Sequence, residues 1–490
     1  MILRNLVNNP IWKKSELGSP LPESCHSVSV ALPTWEDVIN YEEKEENCIN
    51  SLRTIYPRFG LNPLLKKLIQ EIISEDILER YSAWPYPNNY LALKAKKFCD
   101  KNTLEKNSFI ITEKNLSFLI TSKPANDFAR IFWQHTGLGL SSREAAIYLK
   151  LEHRNPKKLV QESYSTIQKR IANNIQIQED FIHLTSSGMS ALYTALEIIY
   201  EIFPQRPILQ IGFPYVDVLK LPSKIFYGSK LILEENCEDI ESEIKRINPA
   251  ALVVELPSNP MLKCVNIKKI AEIAKRLNLP VITDDTIGSN INIDSIYHSD
   301  LVFTSLTKIF AGTGTILAGS LILNPKSKWI KNFQDAIHKI QIPKLSDNDL
   351  IELEISSRDI EERVYQQNNN CLRLKKKLEN HKSIKKVFHP ENCENFNSII
   401  KYKGGYGCLL SFELNGGIEK TKSFYDSLQI SKGPSLGTHF TLVSPYVMLA
   451  HYNELNWARS YGIPPYLIRV SVGLEDPEIL WKIFSQALND

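Results

Sequence analysis

The sequence of 490 residues lacks several features that mark specialised classes of protein. Its 58 basic and 55 acidic side chains nearly cancel, and a formal charge of +3 excludes a strongly cationic body that coats nucleic acid or anionic membrane. No apolar run approaches the roughly 20 residues of a membrane span, and the N-terminal stretch has no apolar segment of signal-peptide length. We therefore expect a cytoplasmic protein with neither nucleic acid nor membrane as a partner.

Cysteine is also scarce, with eight residues in the chain, and no two of them form a CxxC pair. A zinc ribbon or a thioredoxin-type site is therefore not expected, we expect no metal site, and the thiols are interpreted as reduced. Apolar residues make up 43% of the sequence, which is ordinary for a globular protein. A chain of this length can bury a large core without disulfides and is expected to form two or three domains.

The middle of the chain alternates short apolar runs with amphipathic helical stretches. This alternation predicts a mostly parallel, doubly wound sheet with helices on both faces, in which ligands bind beyond the carboxyl ends of the strands. The mixed elements after residue 350 indicate a second, smaller α/β domain. The predicted strands of the first sheet are 206–212, 230–235, 250–256, 279–285 and 300–306.

Two features of this region suit a ligand that carries a phosphate. The segment SSGMSA (186–191) opens a helix, where Gly188 permits close backbone approach and the unpaired N–H groups of the first turn favour an anion. Taken alone, the segment is explained by an ordinary helix cap. Asp284 and Asp285 end an apolar strand and face the predicted ligand crevice, although an Asx turn also explains them.

Two further features carry positive charge. Lys308 follows the next apolar strand, and because burial depresses a lysine pKa, its neutral amine could form an imine with an aldehyde. The alternative is a lysine whose amine reaches solvent. The hydroxyls of Ser305 and Thr307 could bind the same phosphate as the Gly188 loop. Arg469 lies in an apolar strand and needs an anionic partner, which is either a substrate carboxylate or a structural salt bridge.

A phosphate loop, a strand-end aspartate and a strand-end lysine, in this order on a parallel sheet, are what pyridoxal phosphate (PLP) requires of a protein. The sequence also resembles the Cys/Met-metabolism group of fold-type I PLP enzymes, which includes cystathionine γ-synthases, cystathionine lyases and methionine γ-lyase. The segments that carry this resemblance occur in the order of the family and are IYPRFGLNP (55–63), SSGM (186–189), ELPSNPMLK (255–263), TDDT (283–286), SLTK (305–308), SLG (435–437) and RVSVGLED (469–476).

The resemblance implies the PLP-dependent transferase fold of type I and assigns a role to each matching residue. Lys308 would bind the aldehyde of the cofactor, and Asp284 would face the pyridine nitrogen. Tyr215 would stack on the ring and, with Lys308, would be catalytic. The other implied contacts are Gly188, Met189, Ser305 and Thr307 at the phosphate, Tyr56 and Arg58 at the phosphate of a neighbouring subunit, Asn259 at the phenolic oxygen, and Arg469 with the Ser435 backbone at the substrate carboxylate.

The resemblance also implies how the chain is organised. A shared site would require a homodimer or a homotetramer. The implied regions are an N-terminal arm at 1–66 that reaches the neighbouring subunit, a helical, aromatic-rich insertion at 67–175, a large PLP-binding domain at 176–350 and a small C-terminal domain at 351–490.

The long insertion, with the segments 26–43 and 132–143, is most similar to the extended cystathionine γ-synthases of fungal type. That subgroup implies replacement of the γ-substituent of an O-activated homoserine by cysteine, which gives cystathionine for methionine biosynthesis. A cystathionine or methionine lyase, or a catalytically silent PLP-binding scaffold, is the alternative. Phe440 stands where many members have a glutamate, which leaves the choice of substrate open.

Overall fold

A computed structural model describes residues 4–57, 59–104, 107–233 and 239–489. The strands of these residues form a three-stranded, a seven-stranded and a four-stranded sheet. No helix in this part of the chain combines the length and the hydropathy that a membrane span needs. Short 3₁₀ helices lie at Lys14–Glu16, Glu179–Phe181, Ile296–His298, Pro390–Asn392 and Tyr452–Glu454.

The N-terminal arm packs into the C-terminal domain of its own chain. Leu32 and Trp35 are buried in the same hydrophobic cluster as the strands of that domain. The Trp35 N–H donates to Asp426 Oδ1 at 2.6 Å, and the buried Lys432 amine donates to the Pro33 carbonyl at 2.7 Å. These bonds and the apolar burial hold the arm in place. Its helices, and the one that follows, are α1 (Trp35–Glu43), α2 (Glu46–Ser51) and α3 (Pro63–Ile72).

The insertion shares a hydrophobic core with the large domain. Trp84 and Phe132 lie in one buried cluster with Leu192, Leu196 and Phe303 of that domain. The sequence analysis predicts helices here, and the structure adds an antiparallel sheet in which the third strand lies between the first two. The elements are α4 (Glu75–Leu78), β1 (Ser82–Tyr86), α5 (Asn89–Asn102), β2 (Ser108–Glu113), β3 (Leu116–Thr121), α6 (Lys123–Thr136), α7 (Ser142–Tyr148) and α8 (Lys157–Ile175).

The large domain consists of alternating strands and helices, which are β4 (Ile182–Thr185), α9 (Gly188–Ile202), β5 (Ile208–Ile211), α10 (Val216–Ile225), β6 (Ser229–Ile232), α11 (Ile240–Ile247), β7 (Ala251–Glu255), α12 (Ile267–Leu277), β8 (Val281–Asp284), α13 (Ser289–Asn292), β9 (Leu301–Thr304), β10 (Gly319–Leu323) and α14 (Ile330–Lys339).

The strand order in the large sheet is β4-β10-β9-β8-β7-β5-β6. Strand β10 runs antiparallel to both of its neighbours, whereas the other paired strands run parallel. The five strands that the sequence predicts are confirmed as β5 to β9, although residues 234–235 of the second prediction lie outside the described residues. The sequence does not predict β4 and β10. The predicted α/β fold class, with a mostly parallel large sheet, is confirmed.

The C-terminal domain contains an antiparallel sheet whose apolar side chains share one buried cluster with those of the helices at 360–379 and 477–489. Its elements, together with the helices that lead into it, are α15 (Asp347–Ser356), α16 (Ile360–Glu379), β11 (Ile384–Phe388), α17 (Glu394–Asn397), β12 (Leu409–Leu414), α18 (Gly417–Ser427), β13 (Leu442–Ser444), α19 (Tyr446–Ala450), α20 (Leu455–Ser460), β14 (Ile468–Ser471) and α21 (Pro477–Asn489). The strand order is β11-β12-β14-β13.

Candidate active site

A cavity of about 190 Å³ opens at the carboxyl ends of the strands of the large sheet. Its wall takes residues from every region of the chain, including Tyr56 from the arm, Trp133 from the insertion, Asp284 from β8 and Arg469 from β14. In an open parallel sheet, this edge is where ligands bind. Among the described residues, no group of three or more His, Cys, Asp or Glu side chains could hold a metal ion.

The first turn of α9 forms a cradle on one side of the cavity. The Ser187 hydroxyl accepts the Ser190 N–H at 3.0 Å, and the Ser190 hydroxyl accepts the Ser187 N–H at 2.9 Å. A Cβ atom on Gly188 would lie 2.6 Å from the Cβ of Ser305, so only glycine allows the turn to approach the loop after β9 so closely. Helix geometry leaves the N–H groups of Gly188 and Met189 without intrahelical acceptors, and the cradle therefore suits a phosphate.

The two adjacent aspartates after β8 point in different directions. Asp284 lines the cavity, and its Oδ1 accepts the Thr286 N–H at 2.9 Å, so it makes an Asx turn and also faces the ligand space. Burial raises the pKa of Asp284 to about 7. Asp285 turns away and accepts the hydroxyls of Thr304 at 2.5 Å and Ser295 at 3.0 Å. Of these two aspartates, Asp284 is therefore the one that can contact a ligand in the cavity.

Glu255, at the end of β7, is a cavity residue that the sequence analysis missed. It pairs in register with Asp284 on the neighbouring strand, and its Oε2 accepts the backbone N–H groups of Tyr215 at 2.9 Å and Asn259 at 3.0 Å. Burial and the charge of Asp284 raise the pKa of Glu255 well above its usual value. Its place at the end of an apolar strand was the signal that could have identified it.

The Lys308 amine lies inside the cavity. Its Nζ donates to the Ser435 hydroxyl at 2.9 Å and to the Tyr56 hydroxyl at 3.1 Å. Ser435 has a left-handed backbone with φ of 104°, a strained conformation for a residue with a Cβ. Burial raises the pKa of Tyr56, but the charge of Lys308 and hydrogen bonds with Tyr215 and Lys308 outweigh burial and leave it lowered. The lysine therefore faces a ligand space and two hydroxyl groups.

Tyr56 lies in the cavity of its own chain. Its hydroxyl lies 3.1 Å from the Lys308 amine of the same chain. The expectation that this tyrosine also reaches the cofactor of a neighbouring subunit stays a prediction. Arg58, expected at the same place, lies outside the described residues.

Tyr215 stands immediately before α10 and lines the cavity. Its hydroxyl donates to Asp217 Oδ2 at 2.9 Å and is also hydrogen-bonded to Tyr56. The sequence therefore brings two tyrosines and Lys308 together in one hydrogen-bonded group. Asp217, on the first turn of α10, was not predicted.

Arg469 is buried, and its contacts are with neutral groups. Its guanidinium donates to the Ser435 carbonyl at 2.7 Å and to Asn259 Oδ1 at 3.3 Å, and it lies 4.5 Å from the centre of the Tyr446 ring. Burial lowers its pKa. None of the ion pairs within the described ranges involves Arg469, so a structural salt bridge does not account for it there. A buried guanidinium with neutral partners suits a carboxylate ligand.

The remaining predicted residues either line the edge of the cavity or pack away from it. Thr307 lines the cavity, but its hydroxyl already accepts the Ala318 N–H at 3.0 Å and contacts the Ala318 carbonyl at 3.3 Å. Ser305 and Met189 line the cavity beside the cradle. Phe440 packs in a separate cluster with Leu6 and Ile11 of the arm, so its side chain is part of the arm's packing.

The insertion supplies one wall of the cavity through Trp133, Gln134 and the loop after α6. The carbonyl of Gly137 accepts the Ser187 hydroxyl at 3.1 Å, and a Cβ on Gly137 would lie 2.2 Å from that hydroxyl oxygen. The loop therefore fastens the insertion directly to the cap of the cradle. Only the likeness of segment 132–143 to extended family members signalled this contact in the sequence.

Comparisons with known proteins show which family the chain is related to. The profile of the Cys/Met metabolism PLP-dependent enzyme family matches residues 163–489. The chain is 28% identical to a cystathionine γ-synthase of Neurospora crassa, over 96% of this chain and 98% of that protein, and 27% identical to one of Saccharomyces cerevisiae, over 95% and 97%. A crystal structure of cystathionine γ-synthase from Xanthomonas oryzae pv. oryzae, in complex with aminoacrylate and cysteine, has the same fold, with a TM-score of 0.60 and 21% identity over 67% of this chain and 85% of that one.

Proposed function

Because the chain belongs to the Cys/Met metabolism PLP-dependent enzyme family, we propose that it is a cystathionine γ-synthase. Its cofactor is pyridoxal 5′-phosphate, as in the rest of the family. In the proposed reaction, the thiol of cysteine replaces the activated γ-oxygen group of homoserine and cystathionine is formed, as in trans-sulfuration and methionine biosynthesis. The observation that carries the proposal is the meeting of Lys308, Asp284, the Gly188 cradle and Arg469 in one cavity, with one wall formed by the insertion.

The residues present fit the cofactor. A side chain at position 188 would collide with Ser305, so glycine keeps the cradle open. The half-buried amine of Lys308 faces the same space as the buried carboxyl group of Asp284 and the buried guanidinium of Arg469. When bound, the cofactor supplies an electron sink for negative charge at the Cα atom of the amino acid. We assign the aldehyde to Lys308, the pyridine nitrogen to Asp284, the phosphate to Gly188, Met189, Ser305 and Thr307, the ring to Tyr215, and the phenolic oxygen to Asn259.

The chain's own groups then bind the substrate and move its protons. Arg469 and the Ser435 backbone take the α-carboxylate, because the guanidinium has planar donors and only neutral partners in the described structure. The Lys308 amine removes the Cα proton, and the Tyr56 and Tyr215 hydroxyls lie beside it to relay the proton that leaves and returns at Cβ. At Cγ the C–O bond to the activated group breaks and the thiol sulfur of cysteine forms the new bond, while the thiol proton balances the charge of the departing group. A positioned base of this kind typically contributes about 10²–10⁴-fold to a rate.

The first experiment uses the purified protein with added cofactor. We expect the wild type to show the visible absorbance band of lysine-bound cofactor, and Lys308→Ala to lose both that band and turnover. Lys331→Ala, at an exposed position on α14, serves as the control and should keep both. A wild type without this band would contradict the assignment of Lys308.

The second experiment separates the possible reactions. The wild type is assayed with O-acetyl-, O-succinyl- and O-phosphohomoserine plus cysteine, and separately with cystathionine or methionine alone. Cystathionine formed in the first set supports the proposal. Keto acid released from cystathionine or methionine alone would indicate a lyase, and no turnover by a protein that shows the band would indicate a silent scaffold.

We also infer a homodimer or homotetramer in the cytoplasm. The oligomeric state is inferred because members of the family are typically oligomeric. The location is inferred because the cysteines that the structure describes are free thiols. Sedimentation of the purified protein tests the oligomeric state.

A further inference from the structure

A buried polar connection runs from the cavity into the insertion. The Tyr215 hydroxyl donates to Asp217 Oδ2 at 2.9 Å, and the other carboxylate oxygen, Oδ1, lies 3.0 Å from His135 Nδ1 on α6. Asp217 is 1% exposed and His135 is 4% exposed. A carboxylate excluded from water thus accepts the hydroxyl of a cavity tyrosine and lies at ion-pair distance from an imidazole nitrogen of the insertion, without a hydrogen bond of good geometry to that nitrogen.

The contact between Asp217 and Tyr215 favours the protonated form of the tyrosine when the aspartate is ionised. An ionised aspartate only accepts hydrogen bonds, so the contact requires the phenol to keep its proton. A negative charge at this distance also opposes formation of a phenolate. Tyr56 has the opposite surroundings, since its oxygen lies 3.1 Å from the Lys308 amine. The two cavity tyrosines are therefore electrostatically distinct.

Other charged and titratable groups face Tyr215 as well. The Tyr56 hydroxyl is hydrogen-bonded to that of Tyr215, and Glu255 of β7 accepts its backbone N–H at 2.9 Å. Arg469 of β14 interacts with it electrostatically, and Lys308 lies behind Tyr56. Of these groups, the Asp217 carboxylate is the one that accepts the phenolic proton at 2.9 Å.

We propose that Asp217, held by His135 of the insertion, is a positioning residue that keeps Tyr215 as a protonated hydrogen-bond donor in the site. The insertion thereby acts on the chemistry of the cavity and does more than close it. Only the kinetic part of the test rests on the proposed function, because the titration part needs neither cofactor nor substrate.

The titration follows tyrosinate absorbance in the near ultraviolet as the pH of the cofactor-free protein is raised. The difference between wild type and Tyr215→Phe isolates Tyr215 with Asp217 present. The difference between Asp217→Asn and the double variant Asp217→Asn/Tyr215→Phe isolates Tyr215 without that charge. We expect tyrosinate to form at lower pH in the second pair, and coincident curves would overturn the proposal.

The kinetic part uses the activated homoserine that the wild type accepts. Asp217→Asn should lower kcat/KM by about tenfold to a hundredfold, the effect of losing one charge-assisted hydrogen bond, and should move the basic limb of the pH profile to lower pH. His135→Gln keeps an N–H donor near Asp217 and should retain most of the wild-type kcat/KM. His135→Phe has no such donor, and its kcat/KM should be about tenfold lower than that of the wild type. Equal losses in both His135 variants, or an unmoved basic limb, would contradict the inference.

A matched control removes a carboxylate from another buried tyrosine. Tyr193 donates to Glu197 Oε1 at 3.1 Å outside the cavity wall. Glu197→Gln should leave the Tyr215 titration and the pH profile unchanged, and a shift equal to that of Asp217→Asn would reveal a general structural effect and overturn the proposal. If Asp217→Asn fails to fold, Asp217→Ser, compared with Asp217→Ser/Tyr215→Phe, carries the same titration. The protein could show the expected shift of tyrosinate formation to lower pH and yet turn over no activated homoserine. That result would contradict the proposed function and would still support the role of Asp217.

Discussion

Asp284 and Asp285 show how two identical neighbours acquire different tasks. Successive residues of a strand point to opposite faces, so the end of β8 directs one carboxylate to the cavity and the other to the hydroxyls of Thr304 and Ser295. The Asp285 carboxylate has both oxygens occupied, whereas that of Asp284 has a backbone N–H from Thr286 and an open side. The chemistry of the site therefore depends on one member of the pair.

The raised pKa of Asp284 has a measurable consequence for stability. Its value is about 7 in the folded protein, against a usual value of 3.8, so between these limits the folded chain holds a proton that the unfolded chain has released. Stability of the cofactor-free protein should therefore fall as pH rises from about 4 to about 7, by up to roughly 4 kcal/mol from this group. Asp284→Asn should remove that share of the pH dependence.

Urea unfolding of both cofactor-free proteins across this pH range measures the difference. Asp285→Asn, which breaks the bonds to Thr304 and Ser295, is the comparison and should destabilise the protein at neutral pH. Parallel curves for the wild type and Asp284→Asn would contradict the assignment of the pH dependence to Asp284.

Sequence reasoning found the residues whose position along the chain already signals their role. Gly188 at a helix start, Asp284 and Lys308 after apolar strands, and Arg469 within one all meet in the cavity. Glu255 and His135 were missed for a physical reason. The role of Glu255 depends on which strand pairs with β7, and that of His135 depends on where the insertion packs. The local hydrophobic pattern of the sequence predicts neither of these tertiary contacts.

At the scale of elements, the sheet of the insertion was the largest omission. Strands β2 and β3 are joined by Lys114 and Asn115, both with positive φ, which is the backbone of a tight hairpin turn. Asparagine favours such a turn, but without a glycine the signal in the sequence is weak. Strand β4 (IHLT) contains two polar residues and strand β10 (GSLIL) begins with a glycine and a serine, so neither gives an uninterrupted apolar run over its length.

The shared core predicts that the insertion contributes to the stability of the whole fold. Phe132 is 2% exposed and meets the Tyr193 ring of α9 edge-on, with 6.2 Å between ring centres. Phe132→Ala should lower the free energy of unfolding by about 3–5 kcal/mol because it leaves a cavity between the two regions. Leu104→Ala, at a fully exposed position of the same insertion, should change it by less than about 0.5 kcal/mol.

Chemical denaturation of both variants checks this prediction. A small effect of Phe132→Ala, comparable to that of Leu104→Ala, would mean that the insertion is a separate unit attached to the surface. In that case, the scaffold interpretation would gain support.

At the scale of the whole molecule, the arm completes the site from within one chain. Tyr56 and Lys308 are in direct contact, and the arm is anchored in its own C-terminal domain through Trp35 and Lys432. Each site of an oligomer should therefore be complete in a single subunit. The family resemblance implies the alternative, in which Tyr56 serves the site of the neighbouring subunit, and that alternative stays a prediction.

Mixed oligomers of Lys308→Ala and Tyr56→Phe subunits test this arrangement. If Tyr56 serves its own chain, every site in the mixture carries a defect, and activity should not exceed that of the Tyr56→Phe protein alone. If Tyr56 served the neighbour, each mixed dimer would contain one site with both native residues, and activity would recover. Differently tagged subunits, co-expressed and purified through both tags, supply the mixed species.

The anchoring of the arm also sets an order of events during synthesis on the ribosome. Trp35 emerges early, but its partner Asp426 lies 391 residues further along. Contacts this distant in sequence form late, and the arm must wait until nearly the whole chain has been made. The arm therefore completes the cavity only when translation is almost finished. In a prematurely terminated chain, Lys308 would be present but Tyr56 would not be held beside it.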